Sequence, residues 1–315
     1  MAAGMIDVHF HLIPQFYSDA VYEAGRGPAI GRYPDWSDKL ALDLMDKHGI
    51  ALAITSIAQP GVAFMPEAQA AAFARRCNDY AAELIAKYPQ RFGCFGLLPM
   101  HSMDAAIAEA RYCLETLRFD GISLFASYGE KFLGDGAFDP LLAYLHGAGA
   151  VVHIHPGLHP SSRSLDLQWP GFMIEYPFDT TRAAVNLVFT GALERFANIR
   201  FILSHAGGTL PFLAWRLSVA PMIDKRLKQR SREQIFAAFK TFWYDNALAS
   251  GAESMGTLSR IADRTRILFG SDWPFCNDKV VAEEVKDFTA SGFLAPDALS
   301  MIARENALTL FPQRR

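Results

Sequence analysis

A single (β/α)8 barrel of the TIM type, an α/β fold spanning residues 1–315, is the architecture this sequence predicts. Three observations point to it: eight short apolar β-rich runs, helical stretches between them, and long loops after strands 1 and 5. Apolar strands alternating with helices form a parallel sheet covered by those helices, and eight such units close into a barrel. A doubly wound open sheet is the competing arrangement. No GxGxxG follows the first strand, which argues against it.

In order, the predicted strands cover 5–9, 51–57, 92–98, 121–125, 151–155, 200–205, 242–245 and 267–270. Between them, stretches such as 67–88 and 103–117 repeat apolar residues at helical spacing. The connections 12–38, rich in Gly and Pro, and 156–178 far exceed the usual length of about two to six residues. Both follow C-terminal ends of strands, where barrel enzymes place their sites. No linker, internal repeat or low-complexity segment calls for a second domain.

A chain of 315 residues that is 51% hydrophobic can bury a large core, which excludes a disordered protein. The net charge is -3 and the basic residues are scattered, so neither nucleic acid nor a membrane is an expected partner. Cys77, Cys94, Cys113 and Cys276 are far apart and form no CxxC pair, as packing thiols in a reducing compartment would be. With no secretory leader pattern and no apolar run of about 18 residues, a cytoplasmic location is expected.

Chemistry enters with MIDVHFHLIP, residues 5–14. His9 and His11 stand at i and i+2 of a strand, on one face and about 6 to 7 Å apart, a spacing suited to a shared metal ion. Taken alone, the pair equally fits hydrogen-bonded core imidazoles. The barrel adds further donors at the same rim: His153 and His155 in VVHIHP, His205 in ILSHAGG, and Asp272 in LFGSDWPF. His and carboxylate ligands with one open position characterise catalytic zinc sites, and manganese or iron accept a similar set.

The segments IDVHFHLIP, VHIHP, SHAGGTLPF, FWYDNA, ILFGSDWPF and IARENALTLF run in this order over nearly the whole chain. They resemble the amidohydrolase superfamily, specifically the branch of aminocarboxymuconate-semialdehyde decarboxylase and the 6-methylsalicylate-type aromatic acid decarboxylases. That resemblance implies one divalent ion, zinc with manganese as the alternative, held by His9, His11, His155 and Asp272. His155 is preferred over His153 because the family ligand directly precedes Pro, here Pro156. His153, where the family usually has an apolar residue, is read as a core or supporting residue one layer deeper. Strand 4, GISLFAS, lacks the bridging lysine of binuclear members, and Lys131 lies beyond it in a loop or turn. The resemblance further places His205 beside a metal-bound water and implies a homodimer or homotetramer.

A bound cation acidifies water and holds anionic substrates. His205 is the acid/base expected from its imidazole, with Asp272 as both ligand and proton relay; a neighbouring carboxylate or carbonyl should fix the His205 tautomer. The ligand set alone fits decarboxylation or hydrolysis of a lactone, an amide or a C–C bond. The resemblance favours a carboxy-lyase acting on a small aromatic or unsaturated carboxylic acid.

Arg32 and Arg182 are candidates for a substrate carboxylate, since a guanidinium matches that anion. For Arg182 the alternative is a surface residue in a helix capped by Asp179. Tyr128, Trp169, Trp273 and Phe275 are candidates to wall an aromatic pocket. His159 reads as an ordinary loop residue, and His48, His101 and His146 as helix-end or loop residues. Asp7 is expected to point away from His9 and His11 and to make a structural hydrogen bond, and Asp245 to be structural or to support the site.

Overall fold

The computed structural model describes residues 4–28, 31–164, 168–227, 230–290 and 295–315. Eight parallel strands form the barrel: β1 (Met5–His11), β2 (Ile50–Ser56), β3 (Phe92–Leu97), β4 (Gly121–Phe125), β5 (Val151–His155), β6 (Arg200–Leu203), β7 (Trp243–Asp245) and β8 (Ile267–Leu268). Each pairs with the next in sequence order. Closure comes from the Val8 N–H donating to Phe269 O at 3.0 Å and the Asp272 N–H donating to His9 O at 2.8 Å. The barrel is therefore the observed fold.

The predicted strands are all present, with shifted ends. Strand 6 stops at Leu203 rather than 205 because His205 and Ala206 take φ of 54° and 56°, outside the extended region. The predicted 103–117 helix is α-helical over Met103–Arg111 and continues as a π-helical turn, Tyr112–Thr116. The long connection after β1 is not bare loop: it contains a helix, α1 (Gln15–Glu23), ahead of α2 (Asp38–His48). In the one after β5 the described residues include short 3-10 turns, Pro160–Ser164 and Gly171–Met173, ahead of α3 (Glu175–Phe189).

Alternation along the strands sorts side chains between two cores. Ile6, Val8, Leu52, Ile54, Phe95, Val151, Ile202, Trp243 and Leu268 fill the lower barrel and are closed off by Ala307, Leu310 and Phe311. Their alternates pack outward against the helices in the larger core. In β1 the register shifts between Asp7 and Phe10. A regular strand would put Asp7 on the face of His9 and His11; the irregularity instead makes Val8 and His9 successive interior positions. Asp7 Oδ1 takes up the N–H of His9 at 2.9 Å and that of Ser271 at 3.2 Å. Among the described residues, no helix is long and apolar enough to cross a membrane.

Candidate metal centre and catalytic cavity

Above the apolar plug the interior turns polar in two layers. His9, His153 and Asp245 form the lower one, and His11, His155, His205 and Asp272 the upper. Gly270 allows this crowding, because a Cβ there would come within 2.7 Å of His9 Cβ and 3.3 Å of Asp245 Cβ. The upper layer is strained: His205, Ala206, Leu248 and Asp272 all have positive φ, between 51° and 56°. Such conformations cost non-glycine residues about 1–3 kcal/mol each and persist where surrounding structure enforces them, commonly at functional sites.

The donor set fits a single cation. Ligand atoms of His9, His11, His155 and Asp272, all buried, lie within 4.8 Å of one another. His9 Nδ1 is 3.0 Å from Asp245 Oδ2, His11 Nδ1 is 3.3 Å from Ser56 O, and His155 Nδ1 is 2.8 Å from Pro156 O. Each acceptor fixes its ring with Nδ1 protonated and Nε2 available, the usual arrangement of a ligating histidine. His9 Nε2, His11 Nε2 and Asp272 Oδ1 have no hydrogen-bond partner, although His11 Nε2 approaches Asp272 Oδ1 to 2.9 Å. Three unpartnered polar atoms converging in a buried site are what a metal ion would satisfy. The Pro156 carbonyl also gives the His155-Pro sequence a physical role.

His9, His205 and Asp245 also approach within 4.8 Å, but the Asp245 carboxylate is already engaged. Its Oδ1 accepts the N–H groups of His205 and Ala247, and its Oδ2 faces His9 Nδ1 and His153 Nε2. That leaves it a support for the centre. His153 lies one turn of the pleat below His155, with Nε2 3.2 Å from Asp245 Oδ2 and its ring stacked on Phe95 at 5.3 Å. The end of β4 carries no lysine, and Lys131 sits in a short hairpin 3.8 Å from Asp135. The described residues thus present a site for one divalent ion.

Electrostatics prepares these groups for a cation. Burial pushes the imidazoles of His11, His155 and His205 down, so they are neutral ligands or bases near pH 7. Burial lowers His153 to about 4. For His9 burial acts the same way, but Asp245 and Asp272 outweigh it and raise the ring well above the ordinary value. Burial would raise Asp272, yet His9 and His11 hold it well below the carboxylate range. A cation between these groups would supply the positive charge that Asp272 draws from His9.

The centre opens into a cavity of about 700 Å³ whose wall includes His155, His205 and Asp272. Phe172, Met173, Pro177, Phe212, Leu248 and Phe275 give it an apolar lining, while Gln59, Tyr176 and Thr209 offer polar groups. Among the described residues, neither Lys nor Arg lines it. Of the predicted substrate contacts, only Phe275 does, packing edge-on to His11 at 5.1 Å.

The other five fall outside that wall. Arg32 and Arg182 are exposed, and Trp169 is 45% exposed on the surface. Trp273 packs against Phe10 at 4.7 Å, and the Tyr128 hydroxyl accepts the Phe125 N–H in a separate hollow lined by Pro60 and Met100. Asp179 does not cap α3, which begins four residues earlier. Its Oδ2 instead accepts the Gly157 N–H at 2.8 Å, anchoring the loop after β5. Tyr176 and Gln59 escaped the sequence reading. EYPF and AQP give no periodic signal, and only tertiary folding turns them to the metal centre.

A family model described as Amidohydrolase matches residues 6–313. The chain belongs to the amidohydrolase family. Within it, the chain is 36% identical over 322 residues to decarboxylase yanB of Aspergillus niger, an alignment covering 98% of this chain and 87% of that protein. It is 35% identical over 313 residues to the 6-methylsalicylic acid decarboxylase of Penicillium expansum, covering 98% and 96%. A dihydroxybenzoic acid decarboxylase from Polaromonas sp. JS666, solved with manganese and the inhibitor 2-nitroresorcinol, superposes with a TM-score of 0.84 at 25% identity, covering 99% of this chain and 98% of that one.

Proposed function

We propose that this protein is a metal-dependent carboxy-lyase that removes CO₂ from a small aromatic acid. The observation that carries the reading is the convergence of His9, His11, His155 and Asp272 at the floor of an apolar cavity whose described lining holds no Lys or Arg. Relatives of this chain that are named as decarboxylases support it. Among the described residues, an acid entering such a chamber would find its counter-charge at the metal centre. A divalent ion there would bind the substrate's carboxylate or an adjacent hydroxyl as a Lewis acid.

The chain's own residues supply the remaining chemistry. The apolar wall packs the ring. His205 keeps Nδ1 on Ala247 O at 3.0 Å, so Nε2 is the atom that exchanges a proton. The neutral ring takes its proton from solvent, and its lowered pKa makes the protonated form a better proton donor than a free imidazolium. Delivery of that proton to the ring carbon bearing the carboxylate breaks aromatic conjugation there. The C–C bond then cleaves, its electron pair returns to the ring, and CO₂ leaves, with the Asp272 carboxylate as a second proton carrier. One proton is consumed for each CO₂ released.

Three imidazoles and one carboxylate form a nitrogen-rich set suited to zinc, and we assign zinc, with manganese as the alternative. A cytoplasmic location completes the reading, supported by four cysteines that are all free and buried. Self-association as a homodimer or homotetramer is supported by an exposed apolar stripe on the helix Leu210–Ile223, where Phe212, Trp215, Met222 and Ile223 are 64–82% exposed. The deciding experiment loads the protein with Zn²⁺ or Mn²⁺ and follows CO₂ release from hydroxybenzoates, alkyl-substituted salicylates and muconate-type acids. Turnover of lactones or amides with no CO₂ from any acid would overturn the proposal.

A further inference from the structure

A single planar amide joins the imidazole of His205 to a buried acid that the proposed chemistry does not use. Ala247 O is 3.0 Å from His205 Nδ1 and accepts its proton. The N–H of that same peptide unit, belonging to Leu248, donates to Glu284 Oε1. A trans peptide is rigid and directs its C=O and N–H to opposite sides. The unit therefore cannot rotate away from Glu284 without also leaving His205.

The orientation of this amide needs such an anchor. Leu248 adopts φ 51°, a left-handed conformation that a leucine holds only when its surroundings enforce it. Leu248 is also half-exposed in the cavity wall, so its own side chain is poorly placed to hold the backbone. Glu284, on the helix Asp278–Ala290, is buried behind the loop. Burial, with help from Asp272 and Asp7, pushes its carboxyl up to about 9 despite the bond from Leu248. It is thus a neutral acid near pH 7.

We propose that Glu284 is a positioning residue for proton transfer: by accepting the Leu248 N–H it fixes the Ala247–Leu248 amide, whose carbonyl then locks His205 with Nδ1 protonated and Nε2 toward the cavity. The inference rests on the role given to His205 under the proposed function.

Two variants of the metal-loaded, full-length protein test it. Glu284→Gln keeps a neutral oxygen acceptor, and Glu284→Leu removes it at similar volume. Gln is expected to stay within about twofold of the parent in kcat and KM. Leu is expected to lose about 10- to 100-fold in kcat, with KM within about threefold and metal content unchanged. In ¹⁵N spectra of histidine-labelled protein, Leu should replace the single Nδ1–H form of His205 by mixed tautomers.

A Leu variant with parental kcat and an unchanged His205 signal overturns the proposal, as does a change in KM alone, or a Gln variant as impaired as Leu. If the Leu variant does not accumulate folded, Glu284→Asp, one methylene shorter, is judged by the same readouts. Failure of the parent to release CO₂ would strike the proposed function, while the tautomer comparison would still decide this inference.

Discussion

Asp245 Oδ2 stands 3.0 Å from His9 Nδ1, with both side chains fully buried at the base of the metal centre. The same carboxylate accepts the backbone N–H of His205, so one residue of β7 orients a ligand from β1 and the turn after β6. Replacing its charge by Asp245→Asn keeps the shape and weakens the hold on His9. Metal affinity is expected to fall about 10- to 100-fold, measured by competition with a chromophoric chelator.

Removal of the proton carrier has a different signature. His205→Asn is expected to lower CO₂ release by about 10² to 10⁴-fold while metal content, read by elemental analysis, stays at the parental level. Loss of metal together with activity would make His205 a ligand instead.

Chelation is expected to abolish CO₂ release and to lower the melting temperature, because it leaves buried, unpartnered donors on His9, His11 and Asp272. An ion present at about a thousand times its Kd stabilises the folded state by about 4 kcal/mol. Re-addition of Zn²⁺ or Mn²⁺ should restore both properties, and scanning calorimetry with and without metal checks it.

Glu284 also predicts a pH dependence of stability. Its folded pKa of about 9 lies above the ordinary 4.5, so the folded state keeps a proton that the unfolded chain has lost. Its contribution to stability therefore declines as pH rises from about 4.5 to 9. Glu284→Gln lacks this penalty, and its stability relative to the parent should grow across that window. Urea unfolding of the metal-loaded proteins at pH 5, 7 and 9 measures the trend; a difference that shrinks with pH would contradict it.

In the lower barrel, Phe95 stacks on His153 and packs against Phe311. Phe95→Ala is expected to destabilise the protein by about 3–5 kcal/mol through the cavity it leaves. Denaturant titration gives the value.

The barrel was legible because eight short apolar runs, buried on both faces, alternate with helices whose apolar residues repeat near 3.6. The strand period of two brought His153 and His155 onto one face of β5. In β1 Asp7 does turn away from His9 and His11 as expected, but not through strand parity, which would put all three on one face: the backbone irregularity between Asp7 and Phe10 separates them, and it has no sequence marker. Glu284 was illegible for another reason. In DKVVAEEVKDF it is one acid among several, and only docking of the helix buries it. Arg32 and Arg182 show the converse, since a guanidinium's chemistry says nothing of where a loop or helix face directs it.

With no Lys or Arg among the described residues of its wall, the chamber can tell an acid from the molecule that remains after decarboxylation. The reactant arrives as an anion and is retained through its charge. Once CO₂ departs, the neutral arene has lost the carboxylate and its charge, and keeps any hydroxyl it carries and its contacts with the wall. Turnover therefore carries its own exit signal, and the product should be a far weaker competitor than an unreactive acid of the same outline.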